Sequence, residues 1–344
     1  MRYKYILFCN LPYSFSILRP IESVLKERGY DYIWYVPENI LDNFPFKESS
    51  FTIDLEAVKE YSPDVILVTG NSVPYSLRGV KVQIFHGLAG EKKGHFRVRD
   101  YFDLYLTQGN YFTEKFQQLS EKHKNFEVIE TGWSKLDPLF QNSDKLRKKT
   151  LKKFNKSEIV LYAPTFSPSL TSAKELLPIV KSLKDRENTL IIIKFHDKMS
   201  SELIEAYRGL EDNSSLIIST DRDITPLLQI ADLMISDTSS VVYEFLLLDK
   251  PVITLNSHSE NILWANFKIA DEVEKEVDKV LKGEDNYIED RAKIRKLYHP
   301  YSDGKSSERV LDAIDSYIDR NGVPKNRELS LYRKWKIYRE FGKV

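Results

Sequence analysis

Short apolar segments alternate with longer amphipathic ones along most of the chain, and this alternation constrains the fold more than any other feature. Tyr5–Cys9 and Tyr32–Val36 have the length and composition of buried strands, and Ile17–Arg28 between them has helical periodicity. Gly29 stands where a helix commonly ends. Because repeated βα units join parallel strands through right-handed crossovers, the sequence predicts an α/β protein with doubly wound parallel sheets.

The series of strands starts twice, which predicts two domains. A lysine-rich helix, Ser143–Phe154, precedes Ile159, where the second series begins. A chain of 344 residues is long enough to bury two cores. We therefore expect Rossmann-like domains at residues 1–150 and 151–312, followed by a helical tail at 313–344 that packs back on the first domain.

Composition argues against several classes of protein. The 51 Lys and Arg residues balance 51 Asp and Glu residues, so no net positive charge favours a nucleic-acid partner. Cys9 is the only cysteine, which excludes an internal disulfide and makes an intracellular location the default expectation. No apolar run approaches the roughly 20 residues that span a bilayer. Without Gly-x-Gly-x-x-Gly or a carboxylate cluster with ligand spacing, neither a dinucleotide cofactor nor a metal is expected.

A hydroxyl-rich turn in the second half has the composition of a phosphate site. Asp237-Thr238-Ser239-Ser240 stands between an apolar strand, Leu233–Ile235, and an apolar helix. The free N–H groups and the dipole at a helix start attract phosphate, and the hydroxyls would add further donors. The alternative is that these side chains only cap the helix.

Polar side chains follow two other predicted strands of the second half. Thr165 follows the strand that begins at Ile159, and His196 follows the strand that begins at Thr189. Ligands of open α/β sheets bind at the carboxyl ends of strands, so both side chains and the turn at Asp237 are predicted to share one crevice. For a lone histidine, a structural role is the alternative.

The first half contains a related pattern. The predicted strand Val80–Phe85 leads into His86-Gly87, and a lysine pair, Lys92-Lys93, follows between further glycines. Glycines allow the backbone to turn sharply and to approach a ligand closely. Histidine is the side chain that changes its charge near neutral pH, so His86 is a candidate for proton transfer. The lysines have a solvated surface turn as their alternative.

Several motifs occur in fixed order across residues 80–310. They are His86-Gly87 with Lys92-Lys93, Tyr162-Ala163-Pro164-Thr165, the strand ending at His196, Ala231-Asp232-Leu233 to Asp237-x-Ser239-Ser240 with Glu244-Phe245 and Lys250-Pro251, and Asp303-Gly304-Lys305-Ser306-Ser307-Glu308-Arg309. In this order they resemble the CDP-glycerol glycerophosphotransferase family, whose members build teichoic acids and related capsule polymers. The resemblance implies a GT-B-like fold, with two Rossmann-like domains facing a central cleft that binds the CDP-linked donor.

The resemblance also implies roles for individual residues. His86 is expected to act as general base toward an acceptor hydroxyl, and His196 to contribute to catalysis by holding the donor diphosphate. The expected donor-binding residues are Thr165, Asp223, Asp237, Thr238, Ser239, Ser240 and Glu244, and the expected acceptor-side residues are Gly87, Lys92 and Lys93. The implied reaction moves glycerol phosphate to a hydroxyl of a cell-surface polymer or its lipid-linked precursor and releases CMP, with no metal or cofactor.

Departures from the family pattern leave the transferred group open. Leu88-Ala89 stands where the family usually has Thr-Pro, Asp197 where proline is common, Thr238 where tyrosine is usual, and Phe166-Ser167 where tryptophan and arginine often occur. Glycerol phosphate is therefore the leading candidate among polyol and sugar phosphates. The alternatives are a nucleotide-sugar glycosyltransferase, a UDP-N-acetylglucosamine 2-epimerase-like enzyme, and a non-catalytic binding protein.

The last predicted helix has a distinct surface. Leu331, Trp335 and Tyr338 recur at helical spacing, with basic residues between them. Such a helix could lie on an anionic membrane face or pack against the first domain, and the two possibilities are compatible on different faces. We expect a cytoplasmic protein with peripheral contact to the inner face of the cell membrane.

Overall fold

The computed structural model describes residues 3–88, 96–221, 223–259 and 261–342. Contacts between residues divide the chain into two units. The first unit contains the residues up to Pro138 together with those from Leu297 onward, and the second contains Leu139–Lys296. The first unit is therefore assembled from both ends of the chain.

The first unit is built on a seven-stranded sheet in the order β3-β2-β1-β4-β5-β6-β7, with every strand pair parallel. The strands are β1 (Lys4–Phe8), β2 (Asp31–Tyr35), β3 (Phe51–Thr52), β4 (Val65–Val68), β5 (Val80–Gln83), β6 (Leu104–Thr107) and β7 (Glu127–Glu130). The central strands β4, β5 and β6 are buried along their whole length, as expected for a parallel sheet covered on both faces.

The second unit contains a six-stranded parallel sheet in the order β10-β9-β8-β11-β12-β13. Its strands are β8 (Glu158–Tyr162), β9 (Thr189–Ile193), β10 (Leu216–Ile218), β11 (Leu233–Ser236), β12 (Val252–Leu255) and β13 (Ala265–Phe267). The direction of winding reverses between β8 and β11, and between β1 and β4 in the first unit. Open α/β sheets bind ligands at the carboxyl ends of the strands that flank such a switch point.

Helices connect the strands. They are α1 (Ser14–Arg28), α2 (Leu55–Tyr61), α3 (Asn110–His123), α4 (Asp144–Phe154), α5 (Leu177–Lys184), α6 (Ser201–Arg208), α7 (Thr225–Ile230), α8 (Val241–Leu246), α9 (Ala270–Leu281), α10 (Ile288–Tyr298), α11 (Ser306–Asn321) and α12 (Leu331–Phe341), with 3-10 helices at Glu38–Asn43 and Ser134–Phe140. The predicted doubly wound parallel α/β architecture is confirmed. None of the helices in the described ranges is long and apolar enough to cross a membrane.

The division between the units differs from the expected boundaries at 150 and 312. Helix α4 belongs to the second unit, where the Arg147 guanidinium donates to both Asp232 carboxylate oxygens at 2.8 and 3.0 Å. Helix α11 belongs to the first unit, where Asp312 forms an ion pair with Arg28 at 2.6 Å. Contacts between residues far apart in sequence therefore assign both helices to their units, and helix periodicity alone did not reveal these contacts.

The carboxyl-terminal helix α12 packs on the first unit through a face different from the predicted apolar stripe. Ile337 is 3% exposed within the core of this unit, and the Phe341 ring lies edge-on to Phe8 with centroids 5.9 Å apart. Leu331 and Trp335 of the stripe are 84% and 50% exposed. The helix therefore uses one face for packing and leaves the aromatic face in solvent.

Candidate functional site

The turn that carries His86 follows β5 and is held by contacts from two other loops. Phe85, a buried aromatic residue, has a left-handed φ of +64°, which bulky residues rarely adopt. The Phe85 carbonyl accepts a hydrogen bond from Trp133 Nε1 at 3.4 Å, and the Gly87 carbonyl accepts one from Gln108 Nε2 at 3.0 Å. Strain of this kind persists only where surrounding contacts fix the backbone, and it is common at functional sites.

The His86 ring has a defined hydrogen-bonding state. Its Nδ1 lies 3.1 Å from the Thr69 carbonyl oxygen at the end of β4, and its ring stacks on Tyr13 with centroids 4.9 Å apart. Because a carbonyl can only accept, Nδ1 must carry the proton, and in the neutral imidazole Nε2 keeps its lone pair. His86 is exposed, so this basic nitrogen is available to a substrate.

The residues after His86 differ in what the structure shows. Among the described residues, a Cβ added at Gly87 would meet nothing within 4 Å, and the φ of Gly87 is not left-handed, so these residues do not demand glycine there. Open space beside the backbone is compatible with close approach of a ligand. The predicted Lys92 and Lys93 lie outside the described residues.

In the second unit, Asp237 fixes the loops at the switch point. It is 0% exposed, and its carboxylate accepts hydrogen bonds from Thr165 N at 2.9 Å and from Ser172 N and Oγ at 2.8 and 2.9 Å. Burial raises the pKa of the Asp237 carboxyl, and these hydrogen bonds oppose the rise. Both oxygens are thus engaged by the chain. Asp237 therefore positions Thr165 and the loop around it, and its predicted role in donor binding is indirect.

The hydroxyls that follow Asp237 are not used as helix caps. Ser240 precedes α8 but forms no capping hydrogen bond through its side chain, and the Ser239 amide donates to the Asp237 carbonyl at 3.0 Å. The Thr238 hydroxyl accepts from His258 N at 3.0 Å. Within the described parts of the chain, the hydroxyls of Ser239 and Ser240 have no hydrogen-bond partner and are at least partly exposed. They are available as donors to a ligand, so the capping alternative lacks structural support.

His196 follows β9 and has a hydrogen-bonding state opposite to that of His86. Its Nδ1 accepts a hydrogen bond from Lys198 N at 3.1 Å, so the proton of the neutral ring is on Nε2. The ring lies 4.4 Å from the Phe166 ring, measured between centroids, which brings together the loops after β8 and β9. His196 is exposed and presents an N–H donor, as required of a group that binds phosphate oxygens.

Asp223 and Glu244 are the two remaining residues that were predicted to bind the donor. The Asp223 carboxylate accepts from Thr225 N at 2.9 Å, in the turn that leads into α7. Glu244 lies on α8 and is 9% exposed. Within the described residues, no hydrogen bond joins Asp223 directly to Thr165, His196 or the serines.

Sequence reasoning missed a buried polar group that anchors the Asp303–Arg309 motif. The Asp137 carboxylate accepts from the amides of Ser306 and Ser307, both at 2.7 Å, at the start of α11. Burial raises the pKa of Asp137, and the hydrogen bonds from Ser307 and Ser306 oppose the rise. The serines of this motif therefore bind a carboxylate of the protein. Asp137 is 169 residues from Ser306, so no local pattern could have revealed the pair.

A third histidine, His299, is structural. It is 2% exposed, its Nε2 accepts from Trp133 N at 3.0 Å, and its Nδ1 donates to the Tyr301 carbonyl at 2.8 Å. Burial lowers the pKa of His299 to about 4. Gly132 packs against it with a φ of +81°, and an added Cβ would lie 2.9 Å from Nε2. Both nitrogens are engaged by the chain, so His299 is not a candidate for proton transfer.

Lys250, another residue of the motifs, also has a structural contact. Its ammonium donates to the carbonyls of Leu228, Gln229 and Ala231 at 3.1, 2.5 and 2.7 Å, at the end of α7. A cation at this end of a helix satisfies carbonyls that lack helical partners. Burial lowers the pKa of Lys250 to about 8.

Across the described residues, no group of three or more His, Cys, Asp or Glu side chains is arranged to hold a metal.

The chain is similar in sequence to proteins named as teichoic acid primases and polymerases. The teichoic acid glycerol-phosphate primase of Bacillus spizizenii is 37% identical over 117 residues, which cover 33% of this chain and 29% of the primase. The teichoic acid ribitol-phosphate primase of the same organism is 24% identical over 292 residues, covering 72% of each chain. The chain spans 29, 38 and 43% of the length of three glycerol-phosphate primases and polymerases that it matches.

A solved structure confirms the fold. The wall teichoic acid polymerase TagF has a TM-score of 0.64 to this chain at 17% identity, covering 92% of this chain and 89% of TagF. The likeness identifies the two parallel sheets as a GT-B fold. A family model described as CDP-Glycerol:Poly(glycerophosphate) glycerophosphotransferase matches residues 66–261, more than half of the chain and a range that includes His86, His196 and the serines after Asp237. The chain therefore belongs to the CDP-glycerol:poly(glycerophosphate) glycerophosphotransferase family.

Proposed function

We propose that the protein transfers a polyol phosphate, with glycerol phosphate as the leading candidate, from a CDP-linked donor to a hydroxyl of a cell-surface polymer or its lipid-linked precursor. The observation that carries this proposal is the opposite protonation of two exposed histidines. His86 offers a basic Nε2, whereas His196 offers an Nε2–H donor. One group can accept the proton of the acceptor hydroxyl while the other stabilises the negative charge of the donor.

The proposed step is a displacement at phosphorus. The acceptor oxygen attacks the β-phosphorus of the donor while His86 Nε2 removes its proton, and the bond from that phosphorus to the bridging oxygen breaks. CMP leaves with the bridging oxygen and its electron pair. His196 and the hydroxyls of Ser239 and Ser240 bind the diphosphate oxygens. Phosphoryl transfer depends mostly on positioning and on stabilising charge, which these donors supply. The proposal uses neither metal nor cofactor.

Family membership and the names of its relatives support this choice of substrate. Relatives include a glycerol-phosphate primase and a ribitol-phosphate primase, so the polyol is the part of the proposal most in need of a test. Purified protein incubated with CDP-glycerol, CDP-ribitol or a UDP-sugar, in the presence of a membrane fraction as acceptor, should release CMP from one or both CDP-polyols. UDP release from a sugar donor without CMP release would favour a glycosyltransferase or an epimerase, and no release would favour a binding protein.

We further propose that the protein works at the inner face of the cell membrane through the outer face of α12. Tyr332, Trp335 and Tyr338 are 57, 50 and 59% exposed, and the charges of Lys336 and Arg339 lie 4.9 and 5.1 Å from the Tyr332 and Trp335 ring centroids. Aromatic rings beside basic groups suit the interface of an anionic bilayer, where rings enter the headgroup layer and cations bind phosphates.

The membrane proposal can be tested without disturbing the packing face of α12. Trp335→Ser combined with Tyr338→Ser should reduce sedimentation with phosphatidylglycerol-containing vesicles, most strongly at low salt, because salt screens surface charges. Ile269→Ser with Ile288→Ser removes two residues that are 58 and 56% exposed in the second unit and serves as the control. Equal sedimentation of both variants and the unmodified protein would contradict the proposal.

A further inference from the structure

A second charged site lies in the first unit, between α12 and the loops after β4 and before β6. A cavity of about 190 Å³ is lined there by four cationic side chains, Arg97, Arg99, Arg333 and Lys336, and by one carboxylate, Glu340. Its walls therefore have a marked excess of positive charge. Such an excess next to solvent-accessible space is the usual property of an anion site.

Among the described residues, most of these cations have no carboxylate partner. In the described ranges, no carboxylate oxygen lies within 4.0 Å of a charged nitrogen of Arg97, Arg99 or Lys336, and Arg333 approaches Asp100 only to 3.9 Å. Glu340 is partly engaged, because it accepts a hydrogen bond from the Ser72 hydroxyl at 2.5 Å. The positive charges are thus held together at an electrostatic cost that a bound anion would relieve.

Arg99 is the most constrained member of the group. Its Nη1 donates to the Asn71 side-chain oxygen at 3.1 Å and to the Arg97 carbonyl at 3.0 Å, which fixes the guanidinium with uncharged partners. Burial lowers its pKa, and the charges of Arg97 and Arg333 lower it further. A guanidinium held in one orientation can bind a phosphate group through two parallel hydrogen bonds.

The cavity lies on the same edge of the sheet as His86. Asn71, which holds Arg99, follows β4 two residues after Thr69, whose carbonyl orients the His86 ring. One loop, at the carboxyl end of β4, therefore contacts both the proposed base and a cation of the cavity. The backbone group that orients His86 and the side chain that holds Arg99 are thus only two residues apart in the same unit.

We propose that the cavity binds a phosphate ester of the acceptor side, distinct from the phosphates of the CDP-linked donor. This inference rests on the proposed function in that it assigns acceptor binding to the first unit. The phosphate can come from two sources, a phosphodiester of the growing polymer or the headgroup of a membrane lipid. A polymer phosphodiester and a phosphatidylglycerol headgroup each offer a phosphate with one negative charge, which matches the guanidinium and ammonium donors of the cavity.

Arg97→Gln combined with Arg99→Gln removes two cavity charges that form no ion pair with a carboxylate within the described structure, and it leaves α12 unchanged. Both bonds donated by Arg99 go to uncharged acceptors, so the fold should survive. Lys148→Gln with Lys149→Gln is the control, because it removes two exposed positive charges from α4 of the second unit, outside the cavity and outside α12. Circular dichroism and thermal unfolding of both variants verify that each is folded.

The first measurement is calorimetric titration with glycerophosphoglycerol, a soluble phosphodiester, at low salt and with CMP present in excess to occupy the donor site. The unmodified protein and the control variant should bind it, and the cavity variant should bind about tenfold more weakly or worse. The second measurement is sedimentation with phosphatidylcholine vesicles with and without phosphatidylglycerol. Loss of diester binding alone assigns the cavity to the polymer, and loss of vesicle binding alone, absent in the control, assigns it to a lipid headgroup.

Equal binding of both probes by the cavity variant and the unmodified protein would overturn the proposal, as would absence of binding by the unmodified protein. Neither measurement needs turnover. If no CDP-polyol releases CMP but the diester still binds through Arg97 and Arg99, the proposed function fails and the anion site stands. If CMP release occurs but the probes do not bind, the anion site fails alone.

Discussion

His86 in the first unit and His196 in the second unit occupy comparable places but have opposite chemistry. Each follows a buried parallel strand, is exposed, and uses Nδ1 for a hydrogen bond to the backbone. The partner of His86 is a carbonyl, whereas the partner of His196 is an amide. One backbone group therefore decides whether the outward Nε2 is a base or a donor, and residue type alone does not decide it.

The backbones that carry the two histidines also differ. His86 follows Phe85 in a left-handed conformation, and the carbonyls of Phe85 and Gly87 are both bound by side chains. The His196 carbonyl instead accepts from Met199 N at 2.9 Å within its own turn. The turn at His86, the proposed base, is thus held by contacts from several loops, whereas His196 depends on a local turn. Such rigidity suits a group that must meet a hydroxyl in one orientation.

The comparison is tested most severely by His86→Asn. The asparagine amide can still donate to the Thr69 carbonyl from near the position of Nδ1, but it has no basic nitrogen. Transfer should fall by about 10² to 10⁴-fold while the affinity for the CDP-linked donor hardly changes. Steady-state kinetics and donor calorimetry measure the two effects.

The pH profile provides an independent check of His86. Protonated imidazole cannot accept a proton, so the unmodified enzyme should lose activity as pH falls, and the residual activity of His86→Asn should lack this acidic limb. A variant that keeps most of its rate, or that keeps the acidic limb, would show that His86 is not the base.

His299 is buried, unlike His86 and His196, so its protonation should change the free energy of unfolding. Its pKa is about 4 in the folded protein against about 6.5 when unfolded, so the unfolded state binds more protons between these values. Stability should therefore fall by about 3 kcal/mol as pH decreases from about 6.5 to about 4. Denaturant unfolding across this range measures the slope.

His299→Gln isolates this contribution because glutamine does not titrate. Its pH dependence of unfolding should be flatter than that of the unmodified protein, although its stability at neutral pH should be lower because one hydrogen bond is lost. His258→Gln, an exposed position, is the control and should keep the original slope. An unchanged slope in His299→Gln would mean that other groups cause the acid sensitivity.

The positions of the site residues could be predicted from the sequence, but their partners could not. Apolar strands followed by Thr165, His196 and Asp237 reveal the carboxyl edge of a sheet, because strand length and the βα order are local properties. Whether Asp237 faces a ligand or the chain depends on Thr165 and Ser172, which are 72 and 65 residues away. The tautomers of His86 and His196 likewise depend on backbone partners that become known only from the fold.

The motif that contains Ser306 and Ser307 also shows that the sequence does not reveal the partners of its residues. Ser306 and Ser307 stand in a segment typical of the family, yet their amides bind Asp137 across the first unit. The sequence indicates that such residues belong together, but only the fold separates groups that contact substrate from groups that hold the chain. Periodicity revealed the apolar stripe of α12, but neither the exposure of that stripe nor the packing face at Ile337 followed from it.

His196→Asn is the counterpart of the change at His86. The asparagine side-chain oxygen can still accept from Lys198 N, but the Nε2–H donor is lost. Affinity for CDP should fall by about 1.5 to 3 kcal/mol, the range for a hydrogen bond to a charged group. Calorimetry with CDP measures it. If His196→Asn binds CDP as tightly as the unmodified protein, the contrast between the two histidines has no functional meaning on the donor side.

The smallest expected effect concerns the two hydroxyls beside Asp237. Ser239→Ala combined with Ser240→Ala removes donors that have no partner within the described structure, so stability should hardly change. If they bind the diphosphate as His196 does, CDP affinity should fall by about 1 to 3 kcal/mol in calorimetry. Ser214→Ala with Ser215→Ala, at the opposite edge of the same sheet before β10, is the control and should leave affinity unchanged. Unaltered CDP binding in the Ser239 and Ser240 variant would leave His196 as the donor that carries the phosphate contact on this unit.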